Sequence, residues 1–223
     1  ESFNFAYDVV DSLAKSKPNK KAMVWLSKDK EEKIFTFEDM SKYSNKAANY
    51  FASLGIGKGD KVMLILKRHY QFWFCMMALH KLGAVAVPAT NQLMKKDLVY
   101  RFNKAHVKAV VCTPDDYVAM EVDKSVESCP ELKHRLIVNG NRDGWKNFDD
   151  GMEKASSHFD RRPTKVTEPM LMYFSSGTTG YPKCVQHTHT YAIGHIVTAA
   201  WWHLVKEDGL HLTISDTGWG KAV

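Results

Sequence analysis

The sequence predicts an α/β fold, in which a layered, mostly parallel sheet carries helices on both faces. Helical and strand-like segments alternate along the chain. Two strand-like segments, 61–66 and 84–87, are almost continuously apolar, as is typical of parallel strands that are covered on both faces. With 223 residues, of which 44% are hydrophobic, the chain can form a sizeable core as one large domain or two small ones.

The first predicted elements are a long helix and a compact βαβ unit. The helix should begin after Thr36, a good N-cap residue, and run to about Leu54, because apolar residues recur there at three- and four-residue steps. Gly55 can end this helix. The βαβ unit should consist of a strand, a helix and a strand at 61–66, 70–82 and 84–87.

Further helices and strands continue this alternation. We expect helices at 97–105 and 189–202, and strands at 109–112, 136–138, 170–174, 184–187 and 210–214. Trp201 and Trp202, near the end of the last helix, could stack on an adenine ring, but packing in the core is the favoured expectation. Residues 139–169 are polar, with several Gly, Ser and Asp residues, and should form a connecting segment with one short helix. The chain is thus divided into an α/β subdomain over 1–138, this connecting segment, and a third part over 170–223.

A hydroxyl- and glycine-rich segment between two predicted strands is suited to bind a polyphosphate. This phosphate segment, residues 175–183, consists of Ser175, Ser176, Gly177, Thr178, Thr179, Gly180, Tyr181, Pro182 and Lys183. Its glycines let backbone N–H groups approach an anion closely, its hydroxyls can donate to phosphate oxygens, and Lys183 adds a mobile positive charge. Because Pro182 precedes Lys183 and a strand follows it, the segment is not a Walker A loop.

The phosphate segment resembles the phosphate-binding loop of the adenylate-forming superfamily, which includes acyl-CoA synthetases, luciferases and peptide-synthetase adenylation domains. The family form is hydroxyl-hydroxyl-Gly-Thr-Thr/Ser-Gly-x-Pro-Lys, and residues 175–183 match it throughout. The most common next residue in the family is Gly, where this chain has Cys184. The alternative is an ordinary polar hairpin turn, which the length of the match disfavours.

Other segments extend the resemblance over nearly the whole chain and favour one branch, the medium-chain and acetyl-CoA-synthetase-like acyl-CoA ligases. Family-like motifs lie at 36–40, 55–62 and 79–88, and branch-like motifs at 88–93, 98–102 and 215–219. In that branch an Asp-x-Gly-Trp turn lies beside the acyl pocket and the pantetheine tunnel. The resemblance therefore implies that Gly218 and Trp219 border the acyl and CoA site. The alternative for Trp219 is a core residue that anchors a loop.

The resemblance also implies a two-step reaction, that of an AMP-forming acid–thiol ligase. A small-molecule carboxylate attacks the α-phosphate of ATP, and coenzyme A then displaces AMP to give a thioester. ATP, Mg²⁺ and coenzyme A are thus the implied substrates and cofactor. Lys183 is the implied catalytic residue, since it could offset charge that develops on the leaving pyrophosphate. The implied fold is part of the large N-terminal domain of such an enzyme, and residues 170–223 would start its nucleotide-binding portion.

The end of the chain suggests a fragment. It stops a few residues into the turn that begins at Ser215. A missing C-terminal part would hold the family motifs for adenine, ribose, Mg²⁺ and adenylation, so we expect the 223-residue chain alone to be inactive. Two alternatives stay open. The chain could come from an adenylating enzyme that loads a carrier protein, or it could be a non-catalytic nucleotide-binding module.

Composition and spacing argue against several other classes. A net charge of +6 fits attraction for polyanions, but the lysines are dispersed and no nucleic-acid motif is present. No run approaches the roughly 20 apolar residues of a membrane span. The four cysteines lack metal-site spacing and predict free thiols in a reducing compartment, which is the cytoplasm or, in a eukaryote, the mitochondrial matrix. His187 and His189 have no evident third ligand, so no metal site is predicted.

Overall fold

The computed structural model describes residues 1–114, 117–175 and 180–220 and has a mixed sheet at its centre. In chain order, its strands are β1 (Lys21–Leu26), β2 (Glu32–Thr36), β3 (Lys61–Ile65), β4 (Val85–Pro88), β5 (Val107–Cys112), β6 (His134–Ile137), β7 (Lys146–Asn147), β8 (Pro169–Ser175) and β9 (Lys183–Thr188). Strands β1 and β2 form a separate antiparallel pair. Within the described ranges the central sheet has seven strands in the order β7-β6-β5-β3-β4-β8-β9.

Helices connect these strands. They are α1 (a π-helical turn at Ala6–Asp11 that continues as Ser12–Ser16), α2 (Phe37–Ser53), α3 (Gln71–Leu82), α4 (Lys95–Ala105), α5 (Val118–Ser125), α6 (Phe148–Glu153) and α7 (Thr190–Val197, which continues as a π-helical turn over Thr198–Trp202). The predicted start of α2 is confirmed, because the Thr36 hydroxyl accepts a hydrogen bond from the Asp39 N–H at 3.2 Å.

The core lies on both faces of the sheet, as the continuous apolar strands predict. Along β3, Val62 and Leu64 join a cluster that contains residues of α2, α3 and α6. Met63 and Ile65 join a second cluster with residues of α4 and α5 on the other face. Successive side chains of a strand point to opposite faces, so a strand that is buried on both sides must be apolar at every position.

Most of the sheet is parallel, and the predicted fold class is confirmed. Strands β6, β5, β3, β4 and β8 run parallel to their neighbours in this series, whereas β9 returns antiparallel to β8. The connecting segment contains the expected short helix, α6, and also the two-residue strand β7. The boundaries at 138/139 and 169/170 stay predictions, and β8 joins the sheet that the preceding strands build.

Two expectations about the last third of the chain are wrong. Residues 210–214 form no strand, and Leu210, Leu212 and Ile214 are exposed. Trp201 and Trp202 are each 81% exposed and do not pack in the core. Apolar alternation indicates which side of a strand could be buried, but a strand forms only where another strand can pair with it.

Two buried histidines meet where α7 begins. His189 packs against His80 of α3, with their ring centroids 5.9 Å apart. Neither ring nitrogen of either histidine has a hydrogen-bond partner among the described residues. Burial, with a smaller contribution from His189, lowers the pKa of His80 from 6.5 to about 3, and burial also lowers the pKa of His189.

The folded state should therefore lose stability as the pH falls from 6.5 toward 5. The unfolded chain gains a proton on His80 near pH 6.5, but the folded chain does not gain it until about pH 3. In this window His80 should reduce the free energy of unfolding by up to about 1.4 kcal/mol per pH unit. Urea denaturation at several pH values should show that the free energy of unfolding depends less on pH in His80→Leu than in the wild type. His158→Leu, which changes an exposed histidine, is the control, and equal slopes in wild type and His80→Leu would contradict the assignment.

Candidate functional site

The phosphate segment joins the antiparallel strands β8 and β9, so the predicted strand–loop–strand setting is confirmed. Ser176, Gly177, Thr178 and Thr179 lie outside the described residues. Ser175 ends β8 and Lys183 begins β9, and these two residues are paired across the strands. Both are exposed. Gly180 has φ +94°, a value that favours glycine because it carries no Cβ. The described ends therefore place a hydroxyl and an amine next to each other at one exposed edge.

Helix α4 contacts β8 and the end of the phosphate segment. The ring of Tyr100 stacks on that of Tyr181, with centroids 4.6 Å apart, and the Tyr100 hydroxyl donates to the Pro182 carbonyl at 2.9 Å. The Arg101 guanidinium lies 5.3 Å from the centre of the Phe174 ring. Burial lowers the pKa of Arg101 from its ordinary value. Sequence reasoning missed Tyr100 and Arg101 as site residues, because no local pattern shows contacts between residues about 80 positions apart.

The turn at 215–219 is held against the carboxyl ends of β3 and β4. The Thr217 hydroxyl donates a hydrogen bond to the carbonyl of Lys67, and the Gly218 N–H donates to Asp216 Oδ1 at 2.8 Å. Gly218 lies directly on the backbone that follows β4, and a Cβ at this position would be only 2.4 Å from the Thr90 nitrogen. A residue larger than glycine would therefore force the turn away from the sheet.

Trp219 is 62% exposed, which does not fit the alternative of a core residue that anchors a loop. Its backbone N–H donates to the Asp216 carbonyl at 3.0 Å, so the turn is closed just before the side chain. The next residue, Gly220, faces the Tyr173 ring of β8, which a Cβ there would approach to 3.8 Å. The role of Gly218 and Trp219 at an acyl or CoA site stays a prediction.

Both predicted segments lie at the same edge of the sheet. Strands β4 and β8 are parallel neighbours. The 215–219 turn lies against Ala89 and Thr90, which follow β4, and the phosphate segment begins where β8 ends. In open α/β sheets, ligands bind outside the carboxyl ends of the strands. The phosphate segment and the exposed indole of Trp219 thus lie at the edge of the sheet where ligands bind in folds of this kind, and their roles there stay predictions.

A polar network supports this edge beside β3 and β6. The Gln71 amide donates to Asn139 Oδ1 at 2.7 Å and to Asp149 Oδ1 at 3.0 Å. The backbone N–H of Asn139 donates to Asp149 Oδ2 at 2.6 Å. His69 Nε2 lies 2.9 Å from the Thr113 hydroxyl, which follows β5. These contacts connect the residues that follow three neighbouring strands and so give the edge a fixed base.

The described histidines, cysteines and carboxylates are the candidate metal ligands, and the cysteines are also the candidate reactive thiols. In the parts of the chain that the structure describes, no group of three His, Cys, Asp or Glu side chains is arranged to hold a metal ion. The four cysteines are free, and burial raises the pKa of Cys184 beside the phosphate segment, so its thiol is protonated at neutral pH. A search of the described helices finds none with the length and apolar character of a membrane span.

Comparisons with known proteins identify a matching family and several similar proteins. A model of the AMP-binding enzyme family matches residues 10–219. The human mitochondrial acyl-coenzyme A synthetase ACSM5 is 35% identical over 230 residues, which cover 100% of this chain and 39% of the relative. The mouse mitochondrial acyl-coenzyme A synthetase ACSM4 is 36% identical with the same coverage. The chain thus spans 39% of the length of these curated relatives.

Solved structures show the same fold. An acyl-CoA synthetase from Brucella canis superimposes with a TM-score of 0.87 at 23% identity, over 98% of this chain and 39% of that one. The anthranilate CoA ligase AuaEII, solved in complex with anthranoyl-AMP, superimposes with a TM-score of 0.76 at 22% identity, over 91% of this chain and 37% of that one.

Proposed function

Since the chain belongs to the AMP-binding enzyme family, we propose that it serves an ATP-dependent acyl-CoA ligase of the AMP-forming acid–thiol class. In this reaction a small-molecule carboxylate attacks the α-phosphate of ATP and releases pyrophosphate. Coenzyme A then displaces AMP from the acyl-adenylate to give a thioester. The names of the similar proteins, acyl-coenzyme A synthetases, favour CoA as the acceptor over a carrier protein.

The observation that carries the proposal is the setting of the phosphate segment. It joins two paired strands at the carboxyl edge of the sheet, with exposed Ser175 and Lys183 side by side and Gly180 at positive φ. A hydroxyl, a mobile ammonium group and a glycine backbone are the groups that a polyphosphate needs. We assign the ATP phosphates to the whole segment, which includes Ser176, Gly177, Thr178 and Thr179.

The chain's own residues would act by position and charge. Lys183 would offset the charge that develops on pyrophosphate as it leaves the α-phosphate. Gly218 would let the 215–219 turn approach the sheet closely, and exposed Trp219 would border the acyl and pantetheine groups. Bound Mg²⁺ would neutralise phosphate charge. The described residues present no carboxylate set that fits the ion, so we derive no step through it.

The proposal extends to the cellular location and to the parts of the site that this chain does not contain. The similar proteins are mitochondrial, which favours the mitochondrial matrix if the source is a eukaryote, and the cytoplasm otherwise. Segments that correspond to the other 61% of such a relative would complete the site for adenine and Mg²⁺, given that this chain covers 39% of the relative.

Pyrophosphate release tests the proposal. The protein encoded by the complete open reading frame should release pyrophosphate from ATP only when a carboxylate is present, and should form a thioester with CoA. The 223-residue chain by itself should show no carboxylate-dependent release, because it corresponds to only 39% of a similar acyl-coenzyme A synthetase. ATP hydrolysis that does not depend on the carboxylate would contradict the proposed function. Acyl transfer to a pantetheinyl protein but not to CoA would contradict it as well.

A further inference from the structure

We propose that Tyr100 is a positioning residue that fixes the position of Lys183 at the end of the phosphate segment. The inference rests on the proposed function, since Lys183 is the group whose placement affects the reaction. Tyr100 lies on α4, which belongs to a different part of the sequence from β8 and β9. Its contacts with the segment are made at Tyr181 and Pro182, immediately before Lys183.

The hydrogen bond from Tyr100 acts on the peptide unit that carries the Lys183 nitrogen. The Tyr100 hydroxyl donates to the Pro182 carbonyl at 2.9 Å, and that carbonyl belongs to the planar peptide between Pro182 and Lys183. Holding the oxygen fixes the plane and therefore the direction in which Lys183 enters β9. The backbone is also restricted just before this carbonyl, because the proline ring fixes the φ of Pro182.

The aromatic stack holds the preceding residue. The rings of Tyr100 and Tyr181 lie 4.6 Å apart at an interplanar angle of 19°. Tyr181 is otherwise largely in solvent, with 73% of its surface exposed. Stacked aromatic pairs are favourable beyond the area that they bury. The stack therefore gives an exposed residue a defined place.

Helix α4 can hold Tyr100 in place, because the helix is itself anchored in the core and to α5. Leu98 and Phe102 are fully buried in the core on that face of the sheet. At its start, the Lys95 N–H donates to Glu121 of α5 at 2.8 Å. One residue after Tyr100, Arg101 lies over Phe174 of β8, so the helix contacts the strand before the phosphate segment as well as the end of the segment itself.

Replacing Tyr100 with phenylalanine isolates the hydrogen bond, because the stack and the packing are kept. In the protein encoded by the complete open reading frame, Tyr100→Phe should lower kcat for carboxylate-dependent pyrophosphate release about tenfold, since small displacements of a catalytic group are costly. The carboxylate KM and the thermal midpoint should stay close to wild type. Tyr50→Phe is the matched control, because its hydroxyl also faces a backbone carbonyl, that of Asn147, away from the site.

A double-variant cycle links the effect to Lys183. In the Lys183→Ala background, Tyr100→Phe should have little further effect on kcat, because the amine that it positions is gone. Full additivity of the two changes would overturn the inference, and so would a loss of kcat that merely follows a fall in the thermal midpoint. An active wild type whose Tyr100→Phe variant keeps the wild-type kcat overturns this inference alone. A wild type without carboxylate-dependent release overturns the proposed function together with it.

Discussion

Replacing Asp11 with alanine should lower the free energy of unfolding by about 3–5 kcal/mol, the usual effect of removing one partner of a buried ion pair. The Lys81 side chain is 0% exposed, and its amino group lies 2.7 Å from Asp11 Oδ1 and 2.7 Å from Asn45 Oδ1. Burial lowers the pKa of Lys81, and the Asp11 carboxylate opposes that effect. Without Asp11, the buried ammonium group would keep the Asn45 amide oxygen and the Tyr7 ring, whose centre lies 5.7 Å away, but no opposite charge among these contacts. Urea denaturation at neutral pH measures the loss.

Two further variants separate the buried charge from the loss of packing. Lys81→Met removes the charge, so the Asp11→Ala/Lys81→Met double variant should be more stable than Asp11→Ala alone. Glu207→Ala is the exposed control, since its ion pair with Lys17 lies in solvent and should contribute little. If Asp11→Ala proves no more destabilising than Glu207→Ala, the ion pair between Asp11 of α1 and Lys81 of α3 does not stabilise the fold.

Replacing Lys183 with alanine should reduce kcat for adenylation by about a hundredfold in the protein encoded by the complete open reading frame, in line with the loss of one group that stabilises developing charge. The side chain is exposed beside Ser175, where it can reach a polyphosphate. The carboxylate KM should change little, because the amine acts on the leaving pyrophosphate. Steady-state pyrophosphate release at varied carboxylate concentration separates these effects.

Lys104→Ala is the matched control for this experiment. Lys104 is an exposed lysine of α4 whose charge acts on Cys184, next to Lys183, so the variant removes the same charge nearby without touching the phosphate segment. Lys183→Arg should recover part of the rate, because it restores the positive charge with a different shape. Equal losses in adenylation and in carboxylate binding would argue against a leaving-group role for Lys183.

The parts of the fold that the sequence predicts well are those with local causes. The helix over Phe37–Ser53 follows from the Thr36 cap and its apolar spacing, and β3 from a run that is buried on both faces. Residues 210–214 have the alternation of a strand but lie exposed without one. Pairing depends on the rest of the molecule, and a periodic pattern carries no information about the neighbouring strand.

The candidate site shows the same division. The phosphate segment is contiguous in sequence, so its chemistry can be predicted from residue types alone. Tyr100 belongs to the site only because the fold brings α4 against Tyr181 and Pro182. The close contact of Gly218 with Thr90 likewise depends on how two distant segments meet. Such contacts are properties of tertiary packing, which residue order in a single sequence does not reveal.

The exposed indoles of Trp201, Trp202 and Trp219 affect how unfolding can be observed. They are three of the six tryptophans in the chain, so half of the indole rings are already largely in contact with water before any denaturant is added. The emission maximum of the native protein should then already lie at a long wavelength, close to that of the unfolded chain, and unfolding should shift it only slightly. Far-ultraviolet circular dichroism, which follows the helices that cover the sheet, is therefore the better signal for the denaturation experiments.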